Sequence, residues 1–169
     1  MAKNRVLFIQ TGGSIDKDYP NVIKSYEFEI GEPAARRILE RINLNFEYDI
    51  ITVLRKDSLD ITDADRQKIY VACATSASDK IIITHGTDTM VQTGLVLAEI
   101  KEKLIVLTGA AKPEKLYDSD AAFNLGVAVG ALNVLSRGVF IAMSGVIYPV
   151  NKVEKDPETC KFVEIENIN

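Results

Sequence analysis

Five short runs of apolar, often β-branched residues recur along the chain: Val6 to Ile9, Tyr48 to Leu54, Ile81 to Ile83, Leu104 to Leu107 and Val139 to Met143. Each has strand length, and stretches of helical spacing lie between them. Strands that alternate with helices predict an α/β fold, because right-handed crossovers leave few other ways to connect parallel strands. The expected architecture is three-layer and doubly wound, with a mostly parallel sheet in flavodoxin-like strand order. After Met143 the pattern changes. Ser144-Gly145 and Tyr148-Pro149 punctuate short Val/Ile pieces, which predicts a C-terminal hairpin or an irregular extension.

The intervening stretches carry their own signals. Ala34, Ile38, Leu39 and Ile42 follow Pro33, which suits a first helical turn. Thr62 with Asp65 reads as an N-cap and its reciprocal acid, opening a helix in which Ile69, Ala72, Cys73 and Ser76 recur every three or four residues. Asp120 to Leu135 is the longest such segment, with Phe123, Val127, Ala131, Val134 and Leu135 expected on one buried face. Asp16 to Gly31 carries few core signals and is expected to be a mobile loop over the sheet's edge. With 169 residues, 47% of them hydrophobic, the chain can bury one sizeable core, and a single domain over 1–169 is expected.

Composition narrows the function. A net charge of -4, a pI near 5.1 and no block of consecutive Lys or Arg leave no electrostatic footprint for nucleic acid or an anionic membrane. A small-molecule substrate is favoured. The N-terminus has no extended apolar stretch before a small-residue cleavage pattern, and no run reaches bilayer length, so a cytoplasmic protein is expected. Cys73, Cys160 and a single histidine lack metal-ligand spacing, and neither the Walker spacing nor the dinucleotide fingerprint is present. No metal or cofactor is expected.

Three polar motifs each follow a strand directly: Thr11-Gly12-Gly13-Ser14-Ile15, His85-Gly86-Thr87-Asp88-Thr89 and Thr108-Gly109-Ala110. In a parallel sheet the carboxyl ends of the strands open on one edge, so the three would converge on a single crevice. In the first, Gly12 and Gly13 let the backbone turn and bring N–H groups near a ligand beside the Ser14 hydroxyl. A tight strand-to-helix turn with a surface serine, or a generic anion cradle, explains the same residues. In the second, Thr87 is another hydroxyl, Asp88 can hold a lysine or a substrate ammonium, and Thr89 can cap the next helix. A purely structural reading, with Thr87 or Asp88 as the cap and His85 bonded to backbone, stands beside it. Asp57-Ser58-Leu59-Asp60 follows the second strand to the same edge, where substrate-amine binding and turn formation are both open.

Taken together, these residues resemble the bacterial-type L-asparaginases, amidohydrolases that cleave the side-chain amide of asparagine to aspartate and ammonia. The resemblance runs from Thr11 through Phe162 and corresponds to that family's N-terminal domain. It implies that Ser14 stands where the family has its first catalytic threonine, in a Thr-Gly-Gly-Thr-Ile pattern. Thr87 and Asp88 match the second threonine and its aspartate. Counting without gaps from Met143, Lys155 falls at the catalytic lysine. Tyr26, with Tyr19 as competitor, resembles the loop tyrosine that assists the nucleophile. Ser58 and Asp60 match substrate-binding positions, and Gly13, Gly86 and Ala110 join them through their motifs. The implied chemistry is acyl transfer from a hydroxyl nucleophile through a covalent intermediate.

Two departures from the family pattern carry consequences. Ser14 keeps the oxygen nucleophile but lacks the methyl that restricts χ1. The chain also stops where the family's linker and C-terminal domain would begin, and in long members a neighbour's copy of that domain completes substrate recognition. A short single-domain member would therefore be a homodimer or higher homo-oligomer. The rival readings are a non-catalytic amino-acid-binding module and an amidase subunit acting with a partner enzyme.

Overall fold

A computed structural model describes residues 5–18 and 28–165. In chain order the elements are β1 (Arg5–Gly12), β2 (Lys17–Asp18), β3 (Glu29–Ile30), α1 (Ala34–Leu39), β4 (Glu47–Lys56), α2 (Asp63–Thr75), β5 (Lys80–Thr84) and α3 (Met90–Leu97). There follow β6 (Leu104–Thr108), α4 (Ala121–Val134), β7 (Gly138–Met143), β8 (Val146–Pro149), β9 (Val153–Lys155) and β10 (Phe162–Glu164), with single 3₁₀ turns at Ser14–Asp16, Ser58–Asp60 and Val150–Lys152.

The main sheet has the order β4-β1-β5-β6-β7-β8. Its first five strands are parallel, and only β8 runs antiparallel, against β7. With the two-residue strands set aside, this is the flavodoxin-like order expected from the alternation of strands and helices. Ser144 and Gly145 both have positive φ, 51° and 86°, as a two-residue type I′ turn requires, and they close the β7–β8 hairpin. A second hairpin, β9–β10, follows it.

Both faces of the sheet are covered, which is why its central strands read as continuous apolar runs rather than as alternating ones. Leu7, Ile9, Ile81, Ile83, Ile105, Leu107 and Ile141 share one core with Ile69, Cys73, Met90 and Leu97 of α2 and α3. Val6, Phe8, Ile82, Val106 and Ala142 share the other with Ala35, Ile38, Leu125 and Ala128 of α1 and α4. Burial pushes the Cys73 thiol up to about 12, leaving a protonated, unreactive group. No helix among the described residues is long and apolar enough to cross a membrane.

The capping box at Thr62 and Asp65 forms as the sequence predicts, and Asp65 also accepts from Lys56 Nζ at 2.6 Å. Two other expectations are corrected, and the ends of a third segment prove ordered. In α4 the buried residues are Ala121, Asn124, Leu125, Ala128, Ala131 and Leu132, while Phe123 and Val134 are 61% and 79% exposed. The helix is apolar on all sides, so periodicity could not choose a face, and small residues won because they let α4 lie close on the sheet. Thr89 does not cap α3 through its side chain. Its hydroxyl instead donates to Ser58 O at 2.7 Å, tying two loops of the site edge together. The Asp16–Gly31 segment, finally, has an ordered base. Ile15 and Asp16 are fully buried, Gly31 N donates to Asp16 O at 2.9 Å, and Lys17 and Asp18 pair with Ile30 and Glu29.

Candidate active site

Register brings the motifs to one level. Gln10 of β1 lies beside Thr84 of β5, which lies beside Thr108 of β6, so Thr11, His85 and Gly109 leave the sheet together. Side chains extend the ladder past the strand ends: Thr11 Oγ1 donates to Thr84 O at 2.7 Å, and Thr108 Oγ1 to Ala142 O at 2.8 Å.

The first two motifs meet backbone to backbone. Gly13 has φ of 85°, and a Cβ placed on it would lie 2.3 Å from Gly86 N and 2.4 Å from Gly86 Cα. Gly86 is pressed in turn on the third loop, where a Cβ would fall 2.7 Å from both Cβ and Oγ of Ser58. These approaches, closer than any side chain permits, explain why glycine occupies both positions. Ser14 and Thr87, each next in sequence, are thereby held one residue from the same junction. Ser14 opens the 3₁₀ turn, is half-buried, and has no side-chain hydrogen bond to another described residue.

Lys155 arrives from the far end of the chain. After β8, Val150 packs so tightly on α3 that a Cβ on Gly94 would sit 2.5 Å from Val150 Cγ2. This carries β9 across the start of α3, where Lys155 Nζ donates to Thr87 Oγ1 at 2.9 Å and to Asp88 Oδ1 at 2.5 Å. The lysine side chain is 17% exposed and the aspartate 45%. Behind it, Tyr148 donates to Phe162 O at 3.0 Å, and Phe162 is the cross-strand partner of Lys155.

The remaining sequence candidates divide. Ser58 is buried, and its Oγ has no hydrogen-bond partner among the described residues. Asp60, on the same 3₁₀ turn, is exposed, and no hydrogen bond joins its side chain to the cluster. Ala110 is buried at the same edge, and its methyl belongs to the α1/α4 core. The Gly13 N–H is occupied by Lys56 O at 3.0 Å, so it is not free to hold a developing oxyanion. Tyr26 and Tyr19 lie outside the described residues.

His85 is structural, as one of the two sequence readings had it. Its Nδ1 donates to Gly86 O at 2.7 Å, and its Nε2 lies 2.9 Å from Thr93 Oγ1, whose hydroxyl donates to it in the neutral ring. Burial pulls its pKa down to about 4. A surface cavity of about 420 Å³, lined by Ile100, Arg137, Phe140 and Pro149 among others, lies at the opposite end of β7 and shares no residue with the cluster.

Sequence reasoning missed Asp16 and left the bonds that brace the third motif unspecified. Asp120 accepts from the amides of Ala111 and Lys112 at 3.0 and 3.1 Å, and Asn124 Nδ2 donates to Gly109 O at 2.9 Å. An acid and an amide four residues apart at a helix start were the available signal for the second. Asp16 offered none, since its partners are backbone and hydroxyl groups distant in sequence. Its carboxylate is completely buried, and burial lifts its pKa to about 6.

Asp16 and His85 therefore act on stability in opposite directions. Asp16 is raised from 3.8 to about 6, so folding is favoured by its proton and loses about 3 kcal/mol as pH rises through that window. His85 is lowered from 6.5 to about 4, so a similar amount, about 3 kcal/mol, is lost as pH falls from 6.5 to 4. Between pH 4 and 6 the two slopes cancel. Urea unfolding at a series of pH values should give a nearly flat curve there for the native chain. Asp16→Asn should lose stability steadily on acidification, and a flat curve for that variant would contradict the assignment.

Comparison with known proteins identifies the family and the fold. The family model described as asparaginase, N-terminal, matches residues 5–161. The glutaminase-asparaginase of Acinetobacter glutaminasificans is 27% identical over 165 residues, covering 90% of this chain and 50% of that protein. L-asparaginase 2 of Escherichia coli is 28% identical over 174 residues, covering 94% of this chain and 48% of its own. The thermostable L-asparaginase from Thermococcus kodakarensis superposes with a TM-score of 0.81 at 25% identity, covering 95% of this chain and 51% of that one. The chain thus spans about half the length of these relatives. With the family's N-terminal model spanning residues 5–161 and the fold shared with a solved L-asparaginase, this chain belongs to the asparaginase family, within its N-terminal domain.

Proposed function

We propose that this chain hydrolyses the side-chain amide of L-asparagine to L-aspartate and ammonia through a covalent acyl-enzyme. The observation that supports the reading most is the lysine bridge, in which one Nζ donates to both Thr87 Oγ1 and Asp88 Oδ1 beside the Gly13–Gly86 junction. In the proposed reaction Ser14 Oγ attacks the amide carbon, and the C=O π pair moves onto oxygen. Backbone N–H groups of the Ser14 and Thr87 turns or of Ala110 receive that charge. Its collapse breaks the C–N bond. Because Thr87 Oγ1 already accepts from Lys155, its own proton is free to pass to the departing nitrogen, and Lys155 replaces it while Asp88 balances the charge. Water then attacks the Ser14 ester, giving up a proton to the same relay, and releases aspartate and the free hydroxyl. Tyr26 takes the role of drawing the proton from Ser14 as it passes its own phenolic proton to solvent water, and it returns a proton to Ser14 Oγ when the ester breaks, recovering its own from water.

Ser58, with its buried and unpartnered hydroxyl, is the first candidate for holding substrate, with Asp60, Gly13, Gly86 and Ala110 forming the rest of the wall. The unit over 1–169 acts as one domain, as a homodimer or larger assembly and in the cytoplasm. Ammonia release from asparagine, glutamine and other small amides tests the reading. Turnover of asparagine that disappears in Ser14→Ala is the expected result. Asparagine that raises the melting temperature without ammonia would instead establish a binding module, and an acyl group trapped on Thr87 would reverse the order of the two hydroxyls.

A further inference from the structure

Asp16 lies two residues beyond Ser14 in the same 3₁₀ turn, and several parts of the fold converge on it. Its Oδ1 accepts from Ala34 N, the first amide of α1, at 2.7 Å. Its Oδ2 accepts from Thr84 Oγ1 at 3.4 Å, and Thr84 is the last residue of β5 before His85-Gly86-Thr87. Its main chain is equally engaged, the amide donating to Gly13 O at 3.2 Å and the carbonyl accepting from Gly31 N at 2.9 Å. Gln10 closes the same base, donating to Gly31 O at 2.9 Å while accepting from Thr52 Oγ1 at 2.7 Å.

No ion pair compensates this carboxylate among the described residues. Arg37 of α1 faces it but is turned to Glu114 at 2.5 Å, and Glu114 is itself anchored by its amide on Ile15 O at 3.2 Å. Lys17 is drawn away to Asp57 at 2.7 Å, Lys115 pairs with Asp18 at 3.2 Å, and the His85 ring is neutral and committed to Gly86 and Thr93. An asparagine or serine would cap α1 without bringing a charge into the interior. What a carboxylate adds is two acceptor oxygens that bind two elements at once.

We propose that Asp16 is a positioning residue for the Ser14 hydroxyl, its carboxylate clamping the nucleophile's turn to the end of β5 and to the start of α1. The Ser14 turn and the strand that delivers Thr87 are then held as one piece, and the feet of the 17–31 segment with them. Protonation near pH 6 alters the clamp, because a neutral acid accepts the Ala34 N–H and the Thr84 hydroxyl less strongly than the anion does, while it relieves the cost of burying a charge and so favours the closed fold. The proposal rests on amide hydrolysis at Ser14 for its kinetic readout and on the fold alone for its structural one.

The test compares the native chain with Asp16→Asn, which keeps the shape and one acceptor and imitates the protonated acid. Asparagine turnover should fall in kcat by about tenfold to a hundredfold while KM changes by less than about threefold, the signature of a misplaced reacting group. The native kcat should decline as pH drops through 6 to the level of the variant, and the variant's profile should be flat there. Equal kcat and an unchanged acid limb in Asp16→Asn would overturn the proposal. Hydrogen exchange in the native chain supplies a second measurement that needs neither a folded variant nor turnover. Because opening returns Asp16 to water and its ordinary pKa, protection of the Ala34 and Gly31 amides, corrected for the intrinsic exchange rate, should rise as pH falls from 6 to 4, and protection unchanged by pH would overturn the clamp. A native chain that releases no ammonia defeats the reaction and leaves exchange to decide on Asp16.

Discussion

Lys155→Met should lower kcat for amide hydrolysis by about 10²–10⁴-fold, the range that positioned acid–base groups supply, without unfolding the protein. Methionine preserves the length and apolar stem of the lysine and removes the Nζ that now lies 2.9 Å from Thr87 Oγ1 and 2.5 Å from Asp88 Oδ1. Asp88 is 45% exposed, so losing its partner leaves a carboxylate that water can solvate rather than a buried orphan charge. Stability should therefore move by less than about 1 kcal/mol. Lys155→Arg should not restore the rate, because a planar guanidinium cannot place one donor between the two oxygens or give up a proton. Steady-state kinetics with urea unfolding separates the outcomes. A Lys155→Met enzyme with native kcat would remove the lysine from the mechanism, and one that unfolds would show the bridge to be structural.

Gly13→Ala should be costly in both stability and turnover, for two separable reasons. A non-glycine residue at φ of 85° and ψ of -179°, a region almost reserved for glycine, brings a penalty of about 1–3 kcal/mol. The new methyl would also meet Gly86 N at 2.3 Å and Gly86 Cα at 2.4 Å, which are backbone atoms that cannot swing aside, and forcing them apart adds about 1–3 kcal/mol. The sum, about 2–6 kcal/mol, is a large part of the roughly 5–15 kcal/mol that folds a domain of this kind. Turnover should fall further than the folded fraction does, since the same displacement moves Ser14 away from Thr87. Gly126→Ala is the matched control. A Cβ there meets nothing within 4 Å, and the change should stabilise α4 by about 0.5–1 kcal/mol. If Gly13→Ala behaved like the Gly126 variant, the close junction of the two motifs could not be present in solution.

The parts of this fold that were legible in the sequence are those decided locally. Ile81-Ile82-Ile83 and Leu104-Ile105-Val106-Leu107 are strands buried on both faces, and such strands announce themselves by β-branched runs without alternation. Thr62 and Asp65 satisfy each other within one turn, so the start of α2 was readable to the residue. Ser144-Gly145 marked its hairpin for the same reason. Helix α4 was found, but its buried face was not, because Phe123 and Val134 are as apolar as the residues that pack and only the tertiary fit of Ala121, Ala128 and Ala131 separates them.

The candidate site shows the same division. Ser14, Thr87 and Asp88 stood out as motifs after strands, whereas Lys155 is an isolated lysine whose importance came only from the family resemblance. Its position over Thr87 depends on Val150 seating against Gly94, a contact between segments more than fifty residues apart. Asp16 reads as the beginning of a loop, because a buried carboxylate bonded to Ala34 N and Thr84 Oγ1 has no nearby partner to betray it.

The bridge from Lys155 back to Thr87 also bears on how the protein comes into being. Its ends are separated by 68 positions in the chain, and parallel pairing across the sheet adds further distant contacts, so loop-closure entropy must be met before the groups can touch. The contact from Lys155 to Thr87 is then expected among the last made during refolding, after the helices and the central strands have formed. A partly collapsed chain would hold every group of the cluster and leave them unjoined.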